Sequence, residues 1–460
     1  MKKFLLAGLL ALPATSAVAQ APDARRTAEK LLFERIVEIP TVASQPAEFK
    51  KLTALLTAEF RKAGITNVIV KDHDGVQTLI ARWPAAKPSG KQPILLMAHM
   101  DVVEAKASDW KHPPFEFREL GGYYLGRGSN DNKAALTGIV LALQYLRAEG
   151  FAPGRDIIVL FTGDEETTGN GARRASTEWR SLIDAEYALN GDAGGGRVFA
   201  NGRVEAFGMQ IAEKTYADYT FTATNRGGHS SVPRADNAIY ALTQALSAVE
   251  RHRFAPRLND ATRAGFTVQA QQDGGYLGDL LKRFLADPTN RETADDVEAI
   301  DPGSTRTRCV ATMLSGGHAP NALPQKAEAN VNCRIFPGEP IDTVRQQLQA
   351  LAGPDVKVSV VTTSTTPETS PSPLRADVTE AFKAAVATRF KDAPVVPFQS
   401  AGATDGAFLR AQGIPVYGFG GLWSIIGETE GVHGLDERVL ADGFHGQIPI
   451  WMEMLRRVAR

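Results

Sequence analysis

The run ILLMAHMD at residues 94–101 decides the architecture. Its first five residues are all apolar and end at a histidine, a pattern that suits a strand buried on both faces. Two further runs behave alike: DIIVLF at 156–161 and YAL at 187–189. The stretch KAALTGIVLALQYLRAEG (133–150), between the first two, has the spacing of a long helix. This alternation predicts an α/β fold, a mixed and largely parallel sheet flanked by helices. In such open sheets, ligands bind beyond the carboxyl ends of the strands. His99 follows the first run, Asp164, Glu165 and Glu166 follow the second, and Asp192 follows the third. Side chains from separated segments are therefore expected at one edge.

Outward from this core, residues 27–37 and 48–62 read as helices. The character changes from about residue 215, where DYTFTATN, the segments around Cys309 and Cys333, and VKVSVVTT read as strands. NAIYALTQALSAVERHR and residues 342–351 read as helices. Together they predict a smaller inserted α+β domain over 215–366, interrupted at about 254–303 by a polar helical and loop insertion. STTPETSPSP is the return linker. A helix at 375–391, the strand PVYGFGG and a last helix from Asp436 complete the first domain, which thus comprises 20–214 and 367–460.

A chain of 460 residues exceeds the size at which one core stops growing, which favours two domains. Lys and Arg total 51 against 52 for Asp and Glu, with no dense basic run, so composition offers no support for nucleic acid or an anionic membrane as partner. A small solute fits better. MKKFLLAGLLALPATSAVAQ has the basic start, apolar middle and small-residue end of a secretory signal peptide, predicted to span 1–19 with cleavage after Ala19. The apolar stretch is too short to span a bilayer and no cysteine follows to carry a lipid, so no stable membrane anchor is expected. The expected location is a periplasm, with secretion as the alternative. Two cysteines exclude a disulfide scaffold and a thiolate zinc site. A hairpin about Asn321 would set Cys309 opposite Cys333, which leaves a disulfide and two free buried thiols both open.

Five side chains suited to metal binding stand in the segments AHMDVV, GRGSNDNKAAL, FTGDEETTG, LNGDAGGG and GVHGLDERV: His99, Asp131, Glu166, Asp192 and His433. Nitrogen and oxygen donors without thiolate suit zinc, with cobalt or manganese as substitutes. Two histidines and three carboxylates are too many for one tetrahedral ion with an open position. They fit two zinc ions about 3.5–4 Å apart sharing a carboxylate, a pair that polarises a carbonyl and activates water for amide hydrolysis. A base that is not a ligand is also required, and adjacent Glu165 and Glu166 can divide the two tasks. Asp164 reads as a turn former, residues 194–196 as a loop rather than a phosphate cradle, and Met97 as core. His73, His112, His252 and His445 read as surface or packing residues. His318, close to Asn321, is read as structural.

Taken together, HMD at 99–101, GRGSNDNK at 126–133, DEE at 164–166, GD at 191–192, GGHSS at 227–231, NALP at 321–324, ATDG at 403–406 and the final VHG resemble the M20 family of metallopeptidases, in its carboxypeptidase S and dipeptidase-like branch. The resemblance runs over nearly the whole mature chain. It implies that Asp131 bridges both metals, that His99 and Asp192 complete one site, and that Glu166 and His433 complete the other. It further implies Asp101 as the partner of His99, accepting its hydrogen bond, Glu165 as general acid and base, and a cis peptide at Asp131–Asn132, although Asn132 stands where the family often has Asp or Met. The smaller domain becomes a lid and the surface of a homodimer. His229 becomes the group that reaches a neighbouring subunit's oxyanion. Asn321 and Arg334 would hold a substrate carboxylate, the latter through its planar fork, and Gly402 and Thr404 would line the pocket with backbone and hydroxyl donors.

The function so implied is an exported exopeptidase releasing a C-terminal amino acid from dipeptides or short peptides. The alternative is an N-acyl-amino-acid amidohydrolase, which shares the chemistry and the carboxylate anchor. A non-catalytic metal or peptide binder would need the five ligands but neither Glu165 nor His229.

Overall fold

The computed structural model describes residues 22–363 and 365–460. The expected signal peptide, 1–19, lies outside these residues. Strands Ile94–His99, Ile157–Thr162 and Tyr187–Asn190 are buried along their whole length. They pair in parallel with one another, and Val416–Phe419 joins them in parallel. The hairpin Asn67–His73 and Val76–Trp83 extends the sheet antiparallel on one side. On the other side Val204–Glu213 runs antiparallel to Val416–Phe419 and carries Gly195–Val198, then Trp423–Ile425. Strand Val395–Ser400 also attaches to Val204–Glu213, in parallel. The sheet is therefore mixed, parallel at its centre, as the apolar runs predict.

The helix expected at 133–150 spans Lys133–Ala148 and packs on the sheet and against the final helix Ala441–Val458, which itself reaches the sheet through Trp451 on Phe419. That last helix begins five residues later than expected. Arg438–Leu440 is a strand paired antiparallel with Tyr123–Leu125, so local pairing overrides the helical pattern of the sequence. The helix expected at 375–391 is shorter, Ala376–Ala387.

The chain passes from the large sheet to the smaller one at Lys214, between strands Val204–Glu213 and Thr215–Thr224. The smaller sheet is four-stranded and antiparallel, ordered Arg308–Gly316, Lys326–Ile335, Thr215–Thr224, Val356–Val361. Helices Ala238–Arg251 and Ile341–Ala352 pack against it around Tyr219, Phe221, Leu242 and Leu348. Cys309 and Cys333 sit opposite each other in register and form a disulfide, which decides between the two states the sequence leaves open.

Residues 254–303 form three helices, Asp260–Gln272, Gly275–Ala286 and Arg291–Ile300, with a small core around Phe266, Leu280 and Phe284. The first of them packs on strand Val395–Ser400 of the large sheet. The insertion thus reaches back to the large sheet.

Candidate metal centre

His99 ends its strand, where its Nε2 lies 2.9 Å from Asp131 Oδ1 and 3.3 Å from Asp192 Oδ1. His433 Nε2 lies 3.2 Å from Asp131 Oδ2 and 2.9 Å from Glu166 Oε2. Asp131 therefore faces both histidines, one with each carboxylate oxygen. Among the described residues two groups can each converge on a cation, His99 with Asp131 and Asp192, and Asp131 with Glu166 and His433. Within each group the ligand atoms lie within 4.8 Å of one another. All five expected ligands are brought together, with Asp131 common to both groups.

This donor set fits a pair of zinc, cobalt or manganese ions: imidazole nitrogen and carboxylate oxygen, without sulfur. Its electrostatics lead to the same view. Burial would raise the Asp131 carboxyl, yet hydrogen bonds from His433 and His99 hold it below the ordinary range. Hydrogen bonds to Asp131 and Glu166 raise His433 to about 10. Burial raises Asp192 to about 6. Without cations, protons on the histidines balance these carboxylates. Metal must displace such protons, because only neutral imidazole is a ligand. Zinc binding to metal-free protein at pH 7 is therefore expected to release protons and to tighten as pH rises. Calorimetry in two buffers of different ionisation enthalpy measures the release.

Asp101 is buried two residues beyond His99, faces its ring as expected, and has a second task. His99 Nδ1 is 3.0 Å from the Asp101 main-chain oxygen and 3.5 Å from its Oδ1. The carboxylate also accepts the backbone N–H groups of Glu165 and Glu166, at 3.2 and 2.9 Å. Asp101 thereby ties the two adjacent glutamates to the strand end that bears His99. Glu165 belongs to neither ligand group. Burial, and next the Asp192 carboxylate, push its carboxyl well above the ordinary range. Asp164 turns away, accepting the backbone N–H groups of Asn170 and Gly171 at 2.7 and 2.9 Å, in keeping with its reading as a turn former.

Glu437 is the residue that the sequence reading misses. Fully buried, it accepts the N–H groups of Gly128, Asn130 and Asp131 at 2.9, 2.9 and 3.0 Å, and Arg127 Nη1 at 2.7 Å. Arg127 Nη2 in turn donates to the Gly434 carbonyl at 2.8 Å. One ion pair thus fixes the loop of Asp131 against the loop of His433. Gly128 belongs to this loop at φ +80°, and a Cβ there would lie 2.4 Å from Val102 Cγ1. The peptide Asp131–Asn132 is cis, and Asn132 Nδ2 donates to Asp192 Oδ1 at 3.1 Å. A glutamate in an ordinary turn carries no local signal when its partners lie some three hundred residues away.

Two cavities flank the ligands. One, of about 380 Å³, is lined by Glu165, Glu166, His433, Arg334, Tyr216 and Gly402 among others. Arg334 stacks on Tyr216, its Cζ 4.6 Å from the ring centroid. The other, of about 610 Å³, adjoins Asp131 and Asp192. Thr404 lines the first cavity, but its hydroxyl donates to buried Glu213 at 2.8 Å, and the Gly402 N–H is bound to Ser400 Oγ at 3.0 Å. The donors expected of these two residues are therefore committed within the protein. His229 and Asn321 lie elsewhere, on the ribbon formed by Gly228–His229 and Ala322–Leu323. His229 is exposed with Nδ1 2.7 Å from Ser231 Oγ, and Asn321 O accepts Ser230 N–H at 3.0 Å. Neither lines the cavity of Arg334, so Asn321 and Arg334 do not meet within one chain.

A carboxylate common to two nitrogen-and-oxygen clusters, beside a glutamate that neither cluster uses, meets the requirements of metal-dependent hydrolysis of amides. The chain belongs to the family described as Peptidase family M20/M25/M40, whose model matches residues 95–457. It is a hydrolase of peptide or N-acyl amide bonds. It is 25% identical over 456 residues to N-fatty-acyl-amino acid synthase/hydrolase PM20D1.1 of Danio rerio, covering 93% of this chain and 85% of the relative. It is also 25% identical over 393 residues to probable carboxypeptidase S-like 2 of Dictyostelium discoideum, covering 83% and 75%. Among solved structures, the M20 family metallo-carboxypeptidase Sso-CP2 of Sulfolobus solfataricus superposes with a TM-score of 0.70 at 17% identity, covering 93% of this chain and 98% of that one.

Proposed function

We propose that this chain is an exported dinuclear zinc hydrolase that cleaves the amide bond next to a C-terminal amino acid, in a dipeptide, a short peptide or an N-acyl amino acid. The observation that carries the reading is Asp131, shared between the His99–Asp192 and Glu166–His433 clusters with Glu165 alongside. His99 and Asp192 would hold one ion, Glu166 and His433 the other, with Asp131 between them. When bound, the ions polarise the carbonyl and activate water. Glu165 takes the proton from water and delivers it to the departing amine, and its raised pKa suits both halves of that transfer. Asp101 positions both glutamates. Arg334, on the Glu165 side, receives the substrate carboxylate. The test is hydrolysis of dipeptides and N-acyl amino acids by zinc-loaded protein, compared with their C-terminal amides. Amidation is expected to lower kcat/KM at least a hundredfold, and Arg334→Ala to remove most of that difference. Equal turnover of acid and amide would refute the anchor.

The lid's edge strand supports a homodimer. Arg308–Gly316 pairs on one side only among the described residues, yet Val310, Met313 and Leu314 are 60%, 71% and 64% exposed. A bare apolar edge invites a second strand, and a partner there would suit the placement of His229 away from its own chain's centre. Met313→Glu with Leu314→Lys is expected to give a monomer in sedimentation velocity and to lower kcat without changing metal content. Export is supported by the pattern of residues 1–19 and by the Cys309–Cys333 disulfide, which suits an oxidising compartment.

A further inference from the structure

The two cavities differ in chemistry. The 380 Å³ cleft holds Arg334 and Arg173. The 610 Å³ chamber is walled by Val396, Phe398, Leu422, Trp423 and Val439, and the charged residues that line it besides the ligands are Arg197 and Glu430. A scissile amide held at the ligands would direct its amino-acid side toward the first and its acyl side toward the second. Part of the chamber's wall is strand Val395–Ser400, which supplies Val396 and Phe398 and, among the described residues, pairs with one neighbour only, Val204–Glu213. The inserted helix Asp260–Gln272 packs on this strand. Asn259 Nδ2, at its N-cap, donates to Gln399 Oε1 at 2.7 Å, and Gly265 lies so close that a Cβ would sit 2.7 Å from Pro397 O.

We infer that the chamber selects substrates with an extended apolar acyl group, and that the insertion at 254–303 holds the wall that sets this preference. The inference rests on the proposed function and deepens it. Water adds to the acyl carbon, the C–N bond breaks, and the proton passes to the amine nitrogen, so the products are a carboxylate and a free amino acid. A methylene moved from water into an apolar wall contributes about fourfold in binding. A chamber of this size favours several of them. A dipeptide would instead place an α-ammonium group in it, with Glu430 to receive the charge.

The experiment uses zinc-loaded full-length protein with N-acetyl-, N-hexanoyl- and N-dodecanoyl-leucine and with Ala-Leu. Wild type is expected to prefer hexanoyl over acetyl at least thirtyfold in kcat/KM, and hexanoyl over Ala-Leu. Ala206→Phe, which fills the chamber, and Gly265→Leu, which displaces the wall from outside, should each reduce the hexanoyl-to-acetyl ratio at least tenfold, mainly through KM. Gly265→Ala is the milder variant should Gly265→Leu fail to fold. Retained zinc content separates a wall effect from a damaged centre. Preference for Ala-Leu, or a ratio unmoved in the folded variants, would overturn the inference and leave amide hydrolysis standing. Absence of turnover on every amide would overturn the proposed function itself.

Discussion

Glu165→Ala is expected to bind as much zinc as wild type and to lose 10²- to 10⁴-fold in kcat, the range of a positioned acid–base group. The two halves of this result follow from separate observations. Neither ligand group includes Glu165, so its removal leaves both sets of donors in place. Its carboxyl is nevertheless half-buried and pushed upward by desolvation and by the Asp192 charge, the setting of a group that exchanges protons. KM should change little. Elemental analysis and steady-state kinetics on one preparation decide the matter: full activity refutes the assigned base, and loss of metal would make Glu165 a ligand.

The second large effect is expected at a residue that touches no substrate. Glu437→Gln keeps the size of the side chain but removes the charge that satisfies Arg127 and three main-chain N–H groups. Breaking a buried ion pair by removing one partner costs about 3–5 kcal/mol. Here part of that cost should fall on the loops bearing Asp131 and His433, and loss of such supporting contacts lowers metal affinity about 10- to 100-fold. Urea unfolding of metal-free protein reads the first quantity and competition with a chelator the second. Excess zinc should restore much of the activity. A purely structural residue would show the loss of stability without the change in zinc affinity.

The sequence reveals the side chains suited to metal and hides their support, for a physical reason. His99 and Asp192 follow short apolar runs, and a fully buried parallel strand announces its own end, where ligands gather. Glu437 sits in a turn that looks solvated, and only the return of the chain to residues 127–131 buries it. Thr404 misleads in the opposite sense. A hydroxyl in a glycine-rich loop suggests a ligand donor, but Glu213, buried at the end of its strand, claims it. Arg334 and Asn321 also read alike in one dimension and part in three. One faces the glutamates across the cavity and the other lies on the His229 ribbon. The helical insertion shows its helices through their spacing, but its contact with Val395–Ser400 depends on a glycine, Gly265, that marks close approach only once its neighbour is known.

The lock between Arg127 and Glu437 has a bearing on biosynthesis. A chain emerging from the ribosome makes His99, Asp131, Glu166 and Asp192 early, and it must wait for residues 433–437 before the second cluster and its brace exist. A nascent protein can therefore assemble only one of the two clusters until residue 433 has been made. The second cluster and the brace that holds it arrive together, in one short stretch of chain.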